Sequence, residues 1–251
     1  MGEPPYGQPG AGARFDWGIA GAAELSRFCA ALVVVDVLSF TTAVEVAVSR
    51  GMRVHPFPWG EQAHEYAARI GAATAVRRCD VTAERPWSLS PSALLRAPVV
   101  ADLVLPSPNG STICAAASAT GLPVVAACLR NADAVGRWLA LQGYGTRDAP
   151  IGVIAAGERW PDGSLRPCVE DQLGAATVLD ALSSVDAGLS VEAAVALAAL
   201  ASVRDVRAAV HGCISGRELA GRGFGHDLDI ATRLAASAVV PVLRNGVFSA
   251  A

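Results

Sequence analysis

An α/β fold, with a largely parallel sheet and helices on both faces in one domain or two lobes, is what this sequence predicts, and three observations carry the prediction. Short unbroken runs of β-branched residues, residues 31–35 foremost, mark strands buried on both faces. Those runs alternate with helix-length segments, the pattern of βαβ units. The most prominent runs give way to a polar turn with an acid, amide or hydroxyl before the next helix, which is where open α/β sheets place ligands. With 251 residues the chain has ample core for either arrangement.

The run 31–35 meets Asp36, and Ser39, Thr41 and Thr42 follow at the start of a helix closed by Gly51. Those hydroxyls can cap free amides or help them receive an anion, and capping is the simpler reading. Asp36 differs, because an unpaired carboxylate at the end of a buried strand is costly and needs a partner or a function. Residues 53–57 read as a strand ended by Pro58, and 61–70 as a helix stopped at Gly71. Residues 82–98 read as a long loop, with three prolines, Trp87 and a serine-rich centre. A strand over 99–105, the turn from Pro106 through Asn109, Gly110, Ser111 and Thr112, and a helix over 113–120 repeat the opening plan. Further strands are expected over 123–128 and 151–156, with Asn131 capping a helix to Leu141 between them. Glu170 and Asp171 open a helix over 172–182, where two acids suit the helix dipole. Helices over 190–203 and 215–220 follow, then a flexible loop over 221–225. Residues 238–243 read as an edge strand, because Pro241 does not suit a central one. The Gly- and Pro-rich start, residues 1–13, reads as a flexible tail, leaving 14–251 as the folded domain.

Composition excludes several functions. A net charge of −3 argues against a general nucleic-acid binder. All 20 basic residues are arginine, which removes lysine Schiff-base chemistry and Walker-type phosphate loops. The six cysteines form no Cys-x-x-Cys pair, as expected of free thiols in a reducing compartment. The longest apolar runs, 28–35 and 193–201, fall short of the roughly 18 residues a membrane span requires. With no signal-peptide pattern at the start, a cytoplasmic location is expected.

The acids near strand ends or helix starts are Asp36, Glu158, Glu170, Asp171 and Asp227. Gathered in one cleft, such carboxylates would suit Mg2+, a hard cation that keeps waters and phosphate oxygens in its shell. Asn109, Gly110 and Ser111 offer an amide, a close backbone approach and a helix start, the ingredients of a phosphate cradle, although a plain turn explains them as well. His55, His64, His211 and His226 show no metal-ligand spacing, and no Gly-x-Ser-x-Gly elbow is present. Leu38 stands where a phospho-aspartate phosphatase of the haloacid dehalogenase type has its second aspartate.

Five segments in order resemble the 2-phosphosulfolactate phosphatase (ComB-like) family: residues 35–42, 109–111, 129–135, then 157–160 with 170–175, and Asp227 ahead of Val240 and Pro241. The resemblance implies an α/β fold and Mg2+-dependent hydrolysis of a small acidic phosphomonoester, in the family's case 2-phosphosulfolactate to sulfolactate and phosphate. It implies Asp36, Glu158 and Asp171 in catalysis and Asp36, Glu170, Asp171 and Asp227 at the metal. Ser39, Thr41, Thr42, Asn109, Gly110, Ser111 and Asn131 are then the substrate-pocket candidates. A small-molecule partner is expected, without nucleic acid or membrane, and a homo-oligomer is compatible with it. One departure matters: the family commonly carries arginine where this chain has Ser39, so weaker handling of 2-phosphosulfolactate than in a relative with the arginine is expected unless Arg130, Arg159 or Arg166 reaches into the pocket instead. The alternatives are a phosphatase for another small ester and a non-catalytic anion-binding protein.

Overall fold

The computed structural model describes residues 3–182 and 188–251. In chain order its elements are β1 (Ala13–Trp17), α1 (Gly18–Leu25), β2 (Ala31–Val35), α2 (Phe40–Ser49), β3 (Arg53–Pro58), α3 (Gln62–Ile70) and β4 (Ala73–Thr74). Then come α4 (Pro91–Arg96), β5 (Asp102–Ser107), α5 (Gly110–Ser118), β6 (Val124–Ala127), α6 (Ala132–Leu141) and β7 (Ile151–Ala155). A small hairpin of β8 (Glu158–Arg159) and β9 (Leu165–Arg166) leads to α7 (Val169–Ala181), α8 (Val191–Ser202), α9 (Val206–Gly212), α10 (Ile214–Gly221) and α11 (Gly225–Ala231). The chain closes with β10 (Pro241–Arg244) and β11 (Val247–Ala250).

Nine strands form one mixed sheet in the order β1-β7-β2-β6-β10-β11-β3-β5-β4. It consists of two parallel blocks, β1-β7-β2-β6 and β3-β5-β4, joined by the antiparallel hairpin of β10 and β11. The hairpin turns at Asn245 and Gly246, whose φ values of 52° and 80° suit a two-residue type I′ turn.

The alternation within β2 shows why both faces are covered. Ala31, Val33 and Val35 enter one core with α6, α7 and α8, whereas Leu32 and Val34 enter the other with α1, α2 and α5. The apolar run is therefore continuous because water reaches neither face. No helix among the described residues is long and apolar enough to cross a membrane.

Several expectations are corrected. Residues 238–243 do not supply an edge strand, since β10 lies inside the sheet between β6 and β11. Pro241 is tolerated because it opens the strand, and the ladder to β6 runs through Val242 and Leu243. The proline-rich stretch contains α4, capped by Ser90 and opened by Pro91. The described part of residues 1–13 is packed rather than loose: Gly7 and Ala11 are buried, and the Arg14 guanidinium binds Glu3 and the Gly7 carbonyl. Elements β1, α1, α9, α11 and β11 add to those read from the sequence.

Candidate active site

β2 ends at a tight loop that closes on itself. Thr41 Oγ1 donates to the Asp36 carbonyl at 2.8 Å and accepts the Asp36 N–H at 2.9 Å. Thr42 Oγ1 donates to the Val37 carbonyl at 2.8 Å. Both hydroxyls are thus spent on the loop that presents Asp36. Its Oδ1 accepts the Phe40 N–H at 3.0 Å, and its Oδ2 accepts the Gly110 N–H, from the first residue of α5, at 2.9 Å. A Cβ on Gly110 would lie 2.6 Å from that Oδ2, so only glycine permits the approach.

Asp171, in the first turn of α7, is held in the same manner. Val37 N–H donates to Oδ1 and Gly157 N–H to Oδ2, each at 2.8 Å. Two carboxylates therefore tie together the carboxyl ends of β2 and β7, and Asp36 adds the start of α5, which follows β5 of the other block. Glu158 stands beside them with Oε2 accepting the Asn109 side-chain amide at 2.7 Å.

Asp36 is 7% exposed and Asp171 4%. Burial, then the Glu158 and Glu170 charges, push the Asp36 carboxyl up to about 7 against the opposing Phe40 and Gly110 amides. Burial and the Asp36 and Glu170 charges likewise raise Asp171 well above the carboxylate range. Glu158 is raised by burial, and the Asn109 amide and Arg166 charge pull the other way. Among the described residues, no three His, Cys, Asp or Glu side chains are grouped to enclose a metal ion.

Other expected site residues lie elsewhere or face away. Asp227 is engaged by Ser90 Oγ at 2.7 Å, the Ser92 N–H at 3.1 Å and Arg78 Nε at 3.2 Å. It holds α11 against α4, and the Arg78 guanidinium links it to Ser39. Asn131 is fully buried, its amide accepting the Cys128 N–H and donating to the Ala126 and Val239 carbonyls, so it staples the chain before β10 to β6. Ser111 Oγ bonds the Phe57 and Ser107 carbonyls and has no exposure. Of the cradle, only Asn109 and Gly110 reach the acids, and Gly110 N–H serves a carboxylate. Glu170 is buried, and Cys213 Sγ donates to its Oε2 at 3.2 Å.

Ser39 Oγ accepts from Arg78 Nη2 at 2.6 Å. The guanidinium beside Ser39 is therefore that of Arg78, which is not among the three arginines considered from the sequence. Arg130 is committed to buried Glu45 at 2.5 Å, and Arg159 to the Gly163 carbonyl. Arg166 lies over the Trp160 ring at 5.7 Å, near Glu158. The only sequence sign of Arg78 is its place beside Arg77 ahead of the proline-rich stretch.

Two cavities flank this centre. One of about 200 Å3 is lined by Trp17, Asn109, Thr112 and Glu158, and one of about 670 Å3 by Arg78, Leu89, Pro108 and Phe224.

A search among curated proteins returns no match. The family model of 2-phosphosulpholactate phosphatase matches residues 20–246, a span that includes every strand of the two parallel blocks except β1 and every acid of the centre. The chain therefore belongs to the 2-phosphosulpholactate phosphatase family, whose members are hydrolases of a phosphomonoester.

Proposed function

We propose that the protein is a Mg2+-dependent phosphatase of a small acidic phosphomonoester, 2-phosphosulfolactate in the family's own case, with its reaction centre at Asp36 and Asp171. The observation that supports this most is the pair itself. Both carboxylates are buried and are held by backbone N–H groups with no arginine on either, beside Glu158 and Glu170. Concentrated negative charge in a protein interior is costly unless a cation joins it.

The donors suit Mg2+. Each oxygen of Asp36 and Asp171 accepts one amide hydrogen and keeps further acceptor capacity. Mg2+ is commonly held by one or two carboxylates, with waters and substrate phosphate completing its shell. A centre without three grouped protein ligands is compatible with that mode. When bound, the ion neutralises phosphate charge and acidifies a water.

The chain's own residues supply the remaining functions. Amides from Phe40, Gly110, Val37 and Gly157 fix the two aspartates before substrate arrives, so no reorganisation is needed during reaction. Glu158, oriented by Asn109 and raised by burial, is placed to give a proton to the departing ester oxygen. Asp227 drops out of this ligand set because the Arg78 guanidinium already answers its charge. The attacking group in this reading is water, since no second acid stands at residue 38. All six cysteines are free, as suits a cytoplasmic enzyme.

Phosphate release from 2-phosphosulfolactate with Mg2+, and again in excess chelator, tests the reading. Loss of nearly all turnover on chelation is expected. Full activity in chelator removes the metal from the proposal, and no release with the metal present removes the substrate.

A further inference from the structure

The larger cavity is too apolar and too big to serve only a three-carbon acid. It holds about 670 Å3, inside the ~300–1,000 Å3 range of small-molecule sites. Trp59, Leu89, Leu219 and Phe224 give it apolar walls, and Arg77, Arg78 and Arg222 bring cations to them. Two of its lining residues connect it to the reaction centre: Pro108 immediately precedes Asn109 and Gly110, and Arg78 bonds Ser39, three residues from Asp36.

The three arginines are not equivalent. Arg77 is paired with Asp80 on the surface. Arg78 spends Nε on Asp227 and Nη2 on Ser39 and the Leu89 carbonyl, and its Nη1 has no partner among the described residues. Its guanidinium carbon lies 5.6 Å from the Phe224 ring centroid, so the plane is propped in place. Arg222 forms no ion pair or side-chain hydrogen bond among the described residues. Arg78 and Arg222 therefore bring spare guanidinium donors to a cavity whose walls, Arg77 apart, are mainly apolar. Guanidinium donors fit a carboxylate, sulfonate or phosphate, and the walls fit an apolar or planar body.

Resting on the phosphatase reading, we propose that this cavity is the specificity subsite of the enzyme. It takes the non-phosphate part of a phosphomonoester, an apolar or aromatic body against Leu89, Leu219 and Phe224, with a second anionic group answered by Arg78 and Arg222. Both arginines are specificity-determining residues and take no part in the chemistry at Asp36. The substrate class is thereby wider than small hydrophilic acids.

Three esters separate the contributions: 4-carboxyphenyl phosphate has body and anion, phenyl phosphate has the body alone, and phospholactate has the anion alone. The wild type should turn over 4-carboxyphenyl phosphate with a kcat/KM about tenfold above either of the others, the scale of a charged against a neutral hydrogen bond. Arg222→Gln, at an exposed position, should collapse the ratio between the carboxylated and plain aryl esters, mainly through KM. Arg78→Lys, which keeps a charge for buried Asp227 but loses the planar fork, should reduce it less. Equal kcat/KM for the two aryl esters in the wild type, or a ratio untouched by Arg222→Gln, overturns the proposal. If no ester releases phosphate, the catalytic reading has failed separately. Calorimetry with 4-carboxybenzylphosphonate and benzylphosphonate then decides the subsite alone. Tighter binding of the carboxylated compound that Arg222→Gln abolishes supports it, and equal affinities overturn it.

Discussion

Two kinds of buried carboxylate occupy this molecule, and they differ in what answers their charge. Glu45 and Asp227 are each met by an arginine, Glu45 by Arg130 Nε at 2.5 Å and Asp227 by Arg78 Nε at 3.2 Å. Asp36 and Asp171 are met only by backbone N–H groups, and their acid neighbours add repulsion. A charge balanced within the chain holds helices and loops together. One left unbalanced needs a proton or an outside cation, so it is suited to chemistry. Burial alone does not separate them, since Asp227 is 1% exposed and Asp171 4%.

Substitution should break the comparison most sharply at Asp36. Asp36→Asn is nearly isosteric but lacks the anion and turns an NH2 toward one of the two backbone N–H groups its oxygens accept, so kcat should fall on the order of 10³-fold with the fold retained. Wild-type kcat in that variant would make Asp36 a structural residue. Glu45→Gln should show the reverse behaviour. Leaving Arg130 without its counter-charge should cost about 3 kcal/mol in denaturant unfolding, the lower end for a broken buried pair, with most of kcat retained. Equal losses of turnover in the two variants would erase the distinction.

The pH dependence of stability sharpens it further. An acid whose folded pKa is raised keeps a proton that the unfolded chain has released, so the folded state binds more protons and stability falls as pH rises through that window. For Asp36 the window runs from the ordinary 3.8 to about 7. In metal-free buffer the melting temperature should therefore decline between those pH values, and Asp36→Asn should flatten the decline. Mg2+ at pH 7 should restore stability to the wild type by mass action and have less effect on the variant. A rising curve over this range, or the same decline in both proteins, would remove the unbalanced charge from Asp36.

What the sequence made legible follows from how local each signal is. Asp36 could be found because one acid closing a β-branched run is a contradiction visible within a few residues. Its partnership with Asp171 could not, since the bond from Val37 to Asp171 spans 134 positions. The same limit misplaced Asp227, whose environment depends on Arg78, 149 positions away. Asn131 is a pocket candidate only through the family resemblance, whereas its amide serves the sheet. Alternating strands and helices were enough to give a mostly parallel sheet, but not its two blocks. The Asn245–Gly246 turn and a proline confined to the first position of β10 decide that join. Ser39 shows the limit most plainly, because the guanidinium that bonds it belongs to Arg78, 39 positions away.

The smallest expected effect concerns Asn109, which touches the reaction centre through Glu158. As part of a phosphate cradle, Asn109→Ala would raise KM and leave the pH profile in place. The structure instead has its amide donating to Glu158 Oε2 at 2.7 Å, a bond that favours the ionised carboxylate. Its loss should raise the Glu158 pKa further, beyond what burial already does. If the protonated form of Glu158 is the one that serves the leaving oxygen, the upper limb of the profile of kcat/KM moves to higher pH, by less than about one unit for a single neutral donor. Asn109→Asp should move the same limb upward more strongly, because it replaces the donor with a second negative charge. A rise in KM at every pH with both limbs unmoved would return Asn109 to the substrate and require another group to hold Glu158.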